Sequence, residues 1–496
     1  MTSKEDINIV WLKRDLRLQD NEGLAKAVAS RRRFIILYVF EHLLLNDEHY
    51  SSRHFNFIKE SLRDLNQQLH NFNTKILTVT SDITSAFNLL QSQYKINTVF
   101  SHQETGILST YNRDKEFKRY CRNNLITWEE HINNGVERGR SNREQWFENW
   151  DNYMNQPVFQ FQPKLKQIIN LEELKQLEQR FEVPSLETPE NSPFQKGGTT
   201  RGWQYANSFF KRRYNSYMTN ISKPEASRSS CSRLSPYIAW GNISVREVFQ
   251  KAKTIKDSSQ NKRQLGAFMS RLRWQSHFVQ KFEMEHTMEH ASVNKGYHKL
   301  KKSISDEYLK AWKEGQTGFP LVDASMRCLN STGYVNFRMR AMLASFVTHI
   351  LWQPWQAATT HLSKQFLDFE PGIHFPQLQM QAGETGINNL RIYNPTLNGL
   401  KHDPDALFIR KWVPELAQLE TPFVHEPYLM TELEQAFYNF KLGKDYPEPI
   451  VDIKENRKRA STILWNMKND EDVKRESLRI LRRHTLNNRS RLLKNE

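Results

Sequence analysis

Two hydrophobic periodicities divide this chain of 496 residues, and the division limits its fold more than any other feature. The first 135 residues alternate short β-rich runs with helical patterns, such as the apolar spacing of Asn56–Leu69. This alternation is typical of a doubly wound α/β domain with a parallel sheet. No Gly-x-Gly-x-x-Gly follows the first run, so we predict no nicotinamide nucleotide there. The predicted buried strands are Ile7–Leu12, Phe34–Phe40, Lys75–Thr80 and Thr98–Phe100.

The pattern changes in the middle of the chain, where three prolines and two glycines interrupt a polar stretch between residues 184 and 198. Such residues break regular elements, so we predict a connector that crosses the surface. After Gly202 the pattern is helical, with no convincing strands. We therefore expect an α/β domain at 1–135, a connector at 136–201, a helical domain at 202–455 and a basic helical extension at 456–496.

The charge of the chain narrows the classes of function. Lys and Arg outnumber Asp and Glu by 71 to 55, which gives a net charge of +16. A basic surface attracts polyanions, and nucleic acid is the leading candidate, with a merely soluble basic surface as the alternative. The basic residues of 456–496 leave a similar choice, between a solvated helix face and an arm that binds DNA.

The absence of long hydrophobic stretches and the small, odd number of cysteines favour a cytoplasmic location. No stretch approaches the roughly 20 apolar residues of a membrane span, and the N-terminus lacks the apolar run of a signal peptide. Cys121, Cys231 and Cys328 are far apart and odd in number, so they predict neither a disulfide framework nor a metal site. We expect a cytoplasmic monomer with no membrane contact and no obligate protein partner.

Several long, irregular motifs follow one another along the chain. They are Val10–Asn21, Cys231–Gly241, Gly315–Phe346, Asp368–His374 and Phe408–Leu416. Together they resemble the photolyase/cryptochrome family of flavoproteins, from residue 7 to about residue 452. The resemblance implies a divergent member with a larger all-α FAD-binding domain after the α/β domain.

The first of these motifs implies a structural role. In the family, the Arg-Asp pair of this motif stabilises the end of the first strand. The pair corresponds here to Arg14 and Asp15. We therefore interpret both residues as structural rather than catalytic.

Cys231–Gly241 resembles the family motif that binds the flavin phosphates. Hydroxyl and backbone N–H groups that enter a helix suit a phosphate, so Ser232 and Ser235 are the expected donors. Cys231 replaces the usual threonine and would donate through its backbone alone. An ordinary helix N-cap is the alternative interpretation of this segment.

The resemblance also implies contacts with the rest of the flavin. Tyr217 resembles the family tyrosine near the phosphates, with Tyr214 as a competing candidate. Arg340 and Asp368 correspond to the pair beside the ring, and a buried carboxylate needs such a partner. His374 corresponds to the residue that faces flavin N5 and could exchange a proton there, although a plain core histidine is equally open. The full cofactor set is Tyr217, Cys231, Ser232, Arg233, Leu234, Ser235, Phe268, Arg271, Arg340, Asp368, Phe369, Glu370 and His374.

The substrate pocket departs from both well-known classes of photolyase. Family members that split cyclobutane dimers place a glutamate three residues before a tryptophan; here these positions are Arg271 and Trp274. Phe337 replaces an asparagine, Ala341 a methionine and Met380 a second tryptophan, and the paired histidines of (6-4) photolyases are missing. The expected substrate and DNA contacts are Trp274, Gln275, Phe337, Arg338 and Met380.

The electron path to the flavin differs as well. The family commonly uses three tryptophans, and the middle one corresponds to Trp355. The flavin-proximal position is Leu378, and the surface position falls near Lys302. Another route could pass through Trp352, Trp312 or Tyr393, because electron transfer depends on distances that a sequence does not contain.

Two further segments were weighed for other ligands. His286-Thr-Met-Glu-His290 fits a zinc-peptidase pattern, but five-residue patterns often arise by chance, so we expect no metal. Ser101–Gly106 follows a strand at the edge where open α/β sheets bind ligands. In the family, an antenna chromophore of folate or deazaflavin type can lie there; its contact residues do not match, so the antenna stays undecided.

The function that the resemblance implies is light-dependent repair of UV lesions in DNA. Reduced FAD would inject an electron into a flipped-out pyrimidine dimer, and the basic surface would hold the DNA backbone. The alternative is a cryptochrome-type blue-light photoreceptor without repair activity. The substituted pocket favours the photoreceptor, and the strong positive charge favours repair.

Overall fold

The computed structural model describes residues 4–485, and its N-terminal part contains a sheet of five parallel strands. The strands are β1 (Glu5–Leu12), β2 (Arg33–Phe40), β3 (Leu77–Thr80), β4 (Tyr94–His102) and β5 (Thr127–His131). Their spatial order is β3-β2-β1-β4-β5. The expected doubly wound α/β domain is therefore confirmed. The strand order reverses between β1 and β4, and open α/β sheets bind ligands at such a point.

The sheet has one strand more than the sequence pattern predicts. β5 has the sequence Thr-Trp-Glu-Glu-His, and none of its residues is buried. An edge strand of this kind lacks the apolar run that marks a central parallel strand. β4 begins at Tyr94, four residues before the predicted Thr98, because its first residues are also partly exposed.

Helices cover both faces of the sheet. α3 extends the predicted Asn56–Leu69 by four residues at its start, where Ser51 and His54 form a capping box. Its buried residues Phe57, Leu62 and Leu65 have the spacing of one helix face. The helices are α1 (Glu22–Ala29), α2 (His42–Leu45), α3 (Ser52–Leu69), α4 (Ile83–Gln93) and α5 (Leu108–Asn123).

The predicted connector at 136–201 contains helices that belong to the core. Trp146 and Trp150 of α6 (Trp146–Asn155) are buried. Leu174 and Leu177 of α7 (Leu171–Glu178) pack against one face of the sheet. The predicted connector therefore crosses the surface only in part. Its helices were not predicted because its apolar residues recur too sparsely in the sequence.

The rest of the chain is helical, as predicted. Among the described residues after 202, the only β-type pairing is an isolated bridge between Leu442 and Tyr446. No described helix is both long and apolar enough to cross a membrane. The helices are α8 (Thr199–Lys211), α9 (Tyr217–Asn220), α10 (Ala226–Ser230), α11 (Ser235–Ala239), α12 (Val245–Ser258), α13 (Lys262–Met284), α14 (Asp306–Glu314), α15 (Pro320–Thr332), α16 (Phe337–Ser345), α17 (Trp355–Gln365), α18 (Pro371–Gln381), α19 (Pro395–His402), α20 (Leu407–Trp412), α21 (Thr421–His425), α22 (Glu432–Phe437), α23 (Ile453–Asn469) and α24 (Glu471–His484).

The first half of the Gly315–Phe346 motif builds the turn before α15. Asp323 accepts hydrogen bonds from the backbone N–H of Thr317 and Gly318, at 2.9 and 3.1 Å, and from the Thr317 hydroxyl at 2.6 Å. The Tyr446 hydroxyl donates to the same carboxylate at 2.5 Å. Gly318 has φ +78, and a Cβ there would lie 2.3 Å from a backbone oxygen. This half of the motif is therefore structural.

The basic C-terminal segment docks on the helical domain within its described part. Arg479 and His484 of α24 bind one carboxylate oxygen of Glu285, at 3.0 and 2.7 Å. Arg479 also donates to the carbonyl oxygen of Val293 at 2.7 Å. Residues 486–496 of the predicted extension lie outside the described residues.

Candidate functional site

Arg14 joins the α/β domain to the predicted flavin site. Its guanidinium donates to the carbonyl oxygens of Ala239 and Phe369, at 3.1 and 2.5 Å. It lies 4.4 Å from the centre of the Trp240 ring and 3.6 Å from the carboxylate of Glu370. These contacts agree with a structural role for the Arg14 position and fix Phe369 and Glu370 in place.

Arg340 and Asp368 form the paired charges that the sequence predicts. Two parallel N–H···O bonds of 3.0 Å join them, and Arg340 Nε donates to the Val335 carbonyl oxygen at 2.9 Å. The guanidinium also lies 4.2 Å from the Phe366 ring centre. Burial alone would raise the pKa of Asp368, but the charge and hydrogen bonds of Arg340 outweigh it and lower that pKa. The carboxylate is therefore ionised at neutral pH.

The predicted phosphate loop is held by an arginine that the sequence analysis did not single out. Arg213 donates to the backbone carbonyl oxygens of Tyr205, at 2.7 Å, and Cys231. Within the loop, the Leu234 N–H donates to Ser232 Oγ at 3.4 Å. Arg213 follows two other basic residues, so no local signal distinguishes it from a surface cation.

Arg233 contributes an unused donor to the same loop. It has φ +59 and lies 3.8 Å from the Tyr334 ring centre. One of its nitrogens donates to Gln195 at 2.6 Å. Its Nε is buried and has no hydrogen-bond partner among the described residues. A buried donor without a partner is costly, and an anion such as a phosphate would satisfy it.

The structure separates the two competing tyrosines. The Tyr214 hydroxyl is 2.9 Å from Ser259 Oγ, on the side of α12. Tyr217 is buried, and its ring packs against Phe268 at 5.8 Å. Phe268 also packs 4.8 Å from Phe209, so it belongs to an aromatic cluster. Tyr217 stays the better candidate for the cofactor, and Phe268 supports it.

His374 has the environment of a core histidine. Its Nε2 lies 3.1 Å from the carbonyl oxygen of Thr359, which requires the proton on that nitrogen. Phe366, Phe369 and Phe375 surround the ring. Burial, and to a lesser extent the nearby His49, lowers the pKa of His374 to about 3. The imidazole is therefore neutral, which favours the core interpretation over proton exchange at N5.

A cleft lies between the two domains, beside Arg14 and Glu370. It includes Gln275 and Glu370, which the sequence assigned to DNA and to the cofactor, respectively. The α/β domain contributes residues that follow β4 and β5, including part of the predicted Ser101–Gly106 segment. Residues that line the cleft include Arg14, Gln103, Glu104, Asn133, Gln275 and Glu370.

The residues predicted to face DNA are carried by three helices. α18 packs against both α13 and α16, so Trp274, Phe337 and Met380 come from adjacent helices. Trp274 and Phe337 are 38% and 53% exposed, which leaves both aromatic rings accessible to a ligand. Arg338 and Met380 are half-buried, and Arg271 is exposed.

The three predicted electron carriers differ in their access to solvent. Trp355 and Trp312 are buried, whereas Trp352 is half-buried. The indole of Trp355 donates to Ser292 Oγ at 3.0 Å. Trp352 lies beneath two cations, Lys302 and Arg459, at 4.7 and 5.7 Å from its ring centre.

The zinc-peptidase pattern does not form a metal site. His286–Glu289 is a short 3-10 helix, so the two histidines do not share one α-helical face. Glu289 accepts the Leu108 N–H at 2.6 Å, and His290 is largely exposed. Among the described residues, no group of three His, Cys, Asp or Glu side chains is arranged to hold a metal ion.

Family comparisons match both parts of the chain. Residues 8–139 match the family model described as DNA photolyase. Residues 268–466 match the model described as the FAD binding domain of DNA photolyase. The second range contains Arg340, Asp368 and Glu370.

The chain belongs to the photolyase/cryptochrome family. It is 33% identical over 254 residues to a deoxyribodipyrimidine photo-lyase of Alkalihalophilus pseudofirmus, covering 51% of this chain and 52% of that protein. It is 26% identical over 489 residues to cryptochrome-1 of Arabidopsis thaliana, covering 93% of this chain and 70% of that protein. This chain thus spans about half of the photo-lyase and more of the cryptochrome, so neither name transfers.

A solved structure supports the fold. A bacterial class III photolyase from Agrobacterium tumefaciens has a TM-score of 0.80 and 23% identity, covering 95% of this chain and 99% of that one. At this identity the likeness concerns the two-domain architecture alone.

FAD is the cofactor of this family member, and the residues present fit it. The buried, unpartnered Nε of Arg233 suits the diphosphate. Arg213 keeps the backbone of Cys231 in position, and the Arg340–Asp368 pair suits the ring. The individual contacts assigned from the sequence stay predictions.

Proposed function

We propose that this protein repairs pyrimidine lesions in DNA with blue light. When bound and reduced, FAD supplies one electron from its excited state to the lesion and accepts it back. The observation that carries the proposal is Trp274, which is 38% exposed and adjacent in sequence to Gln275 of the cleft. An exposed indole on a helix that also lines this cleft is a suitable stacking surface for an extruded base.

The protein's own residues would position the two reactants. Arg340 stays fixed by two hydrogen bonds to Asp368 and would place positive charge beside the ring. That charge stabilises negative charge that develops nearby. Trp274 and Phe337 would contact the extruded bases, and Arg338 would contact a phosphate.

The charge of the chain supports DNA as the partner. A net charge of +16 favours binding to the phosphate backbone, and that binding carries no sequence information. Preference for damage must then come from the pocket, since a lesion is easier to extrude than an intact base pair.

The second candidate function is a blue-light photoreceptor without repair activity. Its specific support is the predicted pocket, where Arg271 and Phe337 differ from the residues that the known repair classes have at the same positions. Cryptochromes also lie among the relatives that this chain matches over most of its length. The two functions predict opposite results in one assay.

The test is repair of defined lesions by photoreduced, FAD-loaded protein. Oligonucleotides with one cyclobutane dimer or one (6-4) product are illuminated with blue light, and repaired strands are quantified by chromatography. We expect light-dependent repair of one lesion, none in the dark, and a loss in Trp274→Ala but not in Trp465→Ala, which removes a 62% exposed tryptophan elsewhere. Absence of repair of both lesions would favour the photoreceptor.

A further inference from the structure

A line of buried polar groups connects the indole of Trp355 to an internal ion pair. Trp355 Nε1 donates to Ser292 Oγ at 3.0 Å, and Ser292 Oγ donates to Glu384 Oε2 at 2.6 Å. Lys302 Nζ donates to the other oxygen of Glu384 at 3.3 Å. The side chains of Lys302 and Glu384 are only 2% and 8% exposed. Because a buried ion pair is weak evidence for added stability, its presence suggests another role.

The backbone beside this pair is unusual. Residues 346–350 form a π-helix, and Trp352, which follows it, has φ +53. A bulky residue in this left-handed region is an outlier, and π-helices frequently occur at functional sites. Lys302 also donates to the Thr348 carbonyl oxygen of the π-helix at 3.1 Å. The distorted backbone thus places Trp352 against the charge of Lys302.

The directions of the hydrogen bonds suit proton transfer away from Trp355. The indole N–H points to a hydroxyl oxygen, and that hydroxyl points to a carboxylate, so each group can pass on one proton. An oxidised indole is a far stronger acid than a neutral one. Glu384 is the carboxylate at the end of the line, and Lys302 holds its other oxygen.

The charges around Trp352 have the opposite effect. Lys302 Nζ and the Arg459 guanidinium lie 4.7 and 5.7 Å from its ring centre. Removal of an electron would put a third positive charge beside these two, which costs electrostatic energy in a partly buried site. Glu384 offsets part of the Lys302 charge, and the remaining repulsion should make Trp352 harder to oxidise than Trp355.

We propose that Ser292 and Glu384 form a proton relay for Trp355 during reduction of the flavin by light, and that Lys302 excludes Trp352 from the electron path. This inference rests on the proposed light chemistry only through bound FAD and does not require DNA repair. It replaces the sequence-based route through Trp352.

The step balances in electrons and protons. One electron leaves the indole of Trp355 for photoexcited, oxidised FAD, so Trp355 is oxidised and the flavin is reduced. The Nε1–H bond of Trp355 breaks and a new O–H bond forms at Ser292. The original hydroxyl proton of Ser292 moves to Glu384, which becomes a carboxylic acid. Trp355 is then a neutral radical, and electron return requires the proton as well.

Transient absorption of the FAD-loaded protein tests the relay, because neutral and cationic tryptophan radicals have different spectra. In wild type we expect the neutral radical to form quickly and to form more slowly in D2O. Ser292→Ala breaks the relay but keeps the Lys302–Glu384 pair. We expect it to slow formation of the neutral radical by roughly 100-fold, the lower end of what a positioned proton acceptor contributes.

Further variants separate the relay from general damage to the fold. Glu384→Gln should match Ser292→Ala, and the double variant Lys302→Met/Glu384→Gln covers the case in which unpaired Lys302 prevents folding. Ser345→Ala removes another buried hydroxyl, which bonds His349, and should behave as wild type. A wild-type rate and isotope effect in Ser292→Ala, or no tryptophan radical in wild type, would overturn the relay.

The role of Lys302 has its own test. Trp352→Phe should leave the yield of reduced flavin unchanged, because Trp352 carries no electron in the wild-type protein. In a Lys302→Met background, the same change should lower the yield, since Trp352 is then easier to oxidise. A large loss from Trp352→Phe alone would show that the electron does pass through Trp352.

Discussion

At the scale of single residues, the site depends on charges that meet far from where they occur in the chain. Arg340 and Asp368 are 28 residues apart and form two hydrogen bonds of equal length. Arg233, on a different segment, keeps a buried nitrogen without a partner. Both guanidinium groups lie near the Tyr334 ring, at 3.8 Å for Arg233 and 5.7 Å for Arg340, and an anionic cofactor would satisfy the free nitrogen of Arg233.

Removal of either member of the Arg340–Asp368 pair should release FAD. Loss of Arg340 leaves the buried Asp368 carboxylate uncompensated, which typically costs about 3–5 kcal/mol, and loss of Asp368 leaves the half-buried Arg340 without its partner. We expect Arg340→Ala and Asp368→Ala to lose most of the flavin released per chain on denaturation. Arg327→Ala is the matched control, because it removes an ion pair whose carboxylate, Glu415, is more exposed than Asp368. Wild-type flavin content in both site variants would show that the pair lies away from the cofactor.

At the scale of elements, two carboxylates hold helices in place through direct hydrogen bonds. Asp323 orders the turn that begins α15, and Glu285 binds two side chains of α24. Neither carboxylate belongs to the residues predicted to bind the flavin. These contacts explain why parts of the Gly315–Phe346 motif and of the basic C-terminal segment have structural rather than chemical roles.

Asp323→Ala should destabilise the helical domain strongly. Two backbone N–H groups and two hydroxyl groups lose their acceptor, and each buried, unsatisfied group costs about 1–3 kcal/mol. We expect the free energy of unfolding in urea to fall by about 3 kcal/mol or more. Asp452→Ala, which removes the exposed N-cap of α23, should cost only about 1 kcal/mol. Equal losses in the two variants would contradict this account of Asp323.

The docking of α24 should weaken as the pH falls. Burial, the largest single effect, would raise the pKa of Glu285. The hydrogen bonds and charges of His484 and Arg479 together outweigh it and lower that pKa to about 2. Burial lowers the pKa of His484 to about 4. In both groups the folded pKa lies below the unfolded one, so the unfolded state binds more protons and stability falls on acidification.

The pH window follows from these values. His484 removes stability as the pH falls from about 6.5 to 4, and Glu285 does so from about 4.5 to 2. Hydrogen exchange of the α24 amides should therefore accelerate below pH 6.5, relative to amides of the sheet. Glu285→Gln should bring fast exchange to neutral pH. Exchange that stays slow in this variant would show that other contacts hold α24.

At the scale of the whole molecule, the charge excess and the two-domain architecture determine how a large ligand could approach. A net charge of +16 acts on any nucleic acid, damaged or not. The cleft lies between the domains, and Trp274 and Phe337 are exposed on helices of the larger one. Affinity and preference for damage should therefore depend on different residues.

Measurements of DNA binding should separate affinity from preference for damage. Affinity for lesion-bearing DNA should fall steeply with salt, since each neutralised phosphate releases counterions. Trp274→Ala should reduce the preference for damage by about 1–3 kcal/mol and leave the salt dependence unchanged. Arg338→Ala should weaken binding to both DNAs and reduce the salt slope by about one. Fluorescence anisotropy measures both; if wild-type protein shows no preference for damage, the repair proposal fails.

The sequence by itself determined the fold class and the cofactor, because both depend on local patterns. Alternating apolar runs predict a parallel sheet, and long motifs such as Cys231–Gly241 identify a flavoprotein family. The Arg340–Asp368 pair was also predicted, because both residues lie in such motifs. The polar edge strand β5 was missed, since pairing with β4 rather than its own composition stabilises it.

Only the tertiary structure decided which distant polar groups meet. Three such meetings join residues from separate helices and loops: Arg213 at the predicted phosphate loop, Tyr334 beneath Arg233, and the line from Trp355 through Ser292 to Glu384. No periodicity marks them, because a buried polar residue is recognisable only once its partner and its burial are known. Hydrophobic patterns are repeated along the chain, whereas a hydrogen bond between distant residues leaves no local pattern in the sequence.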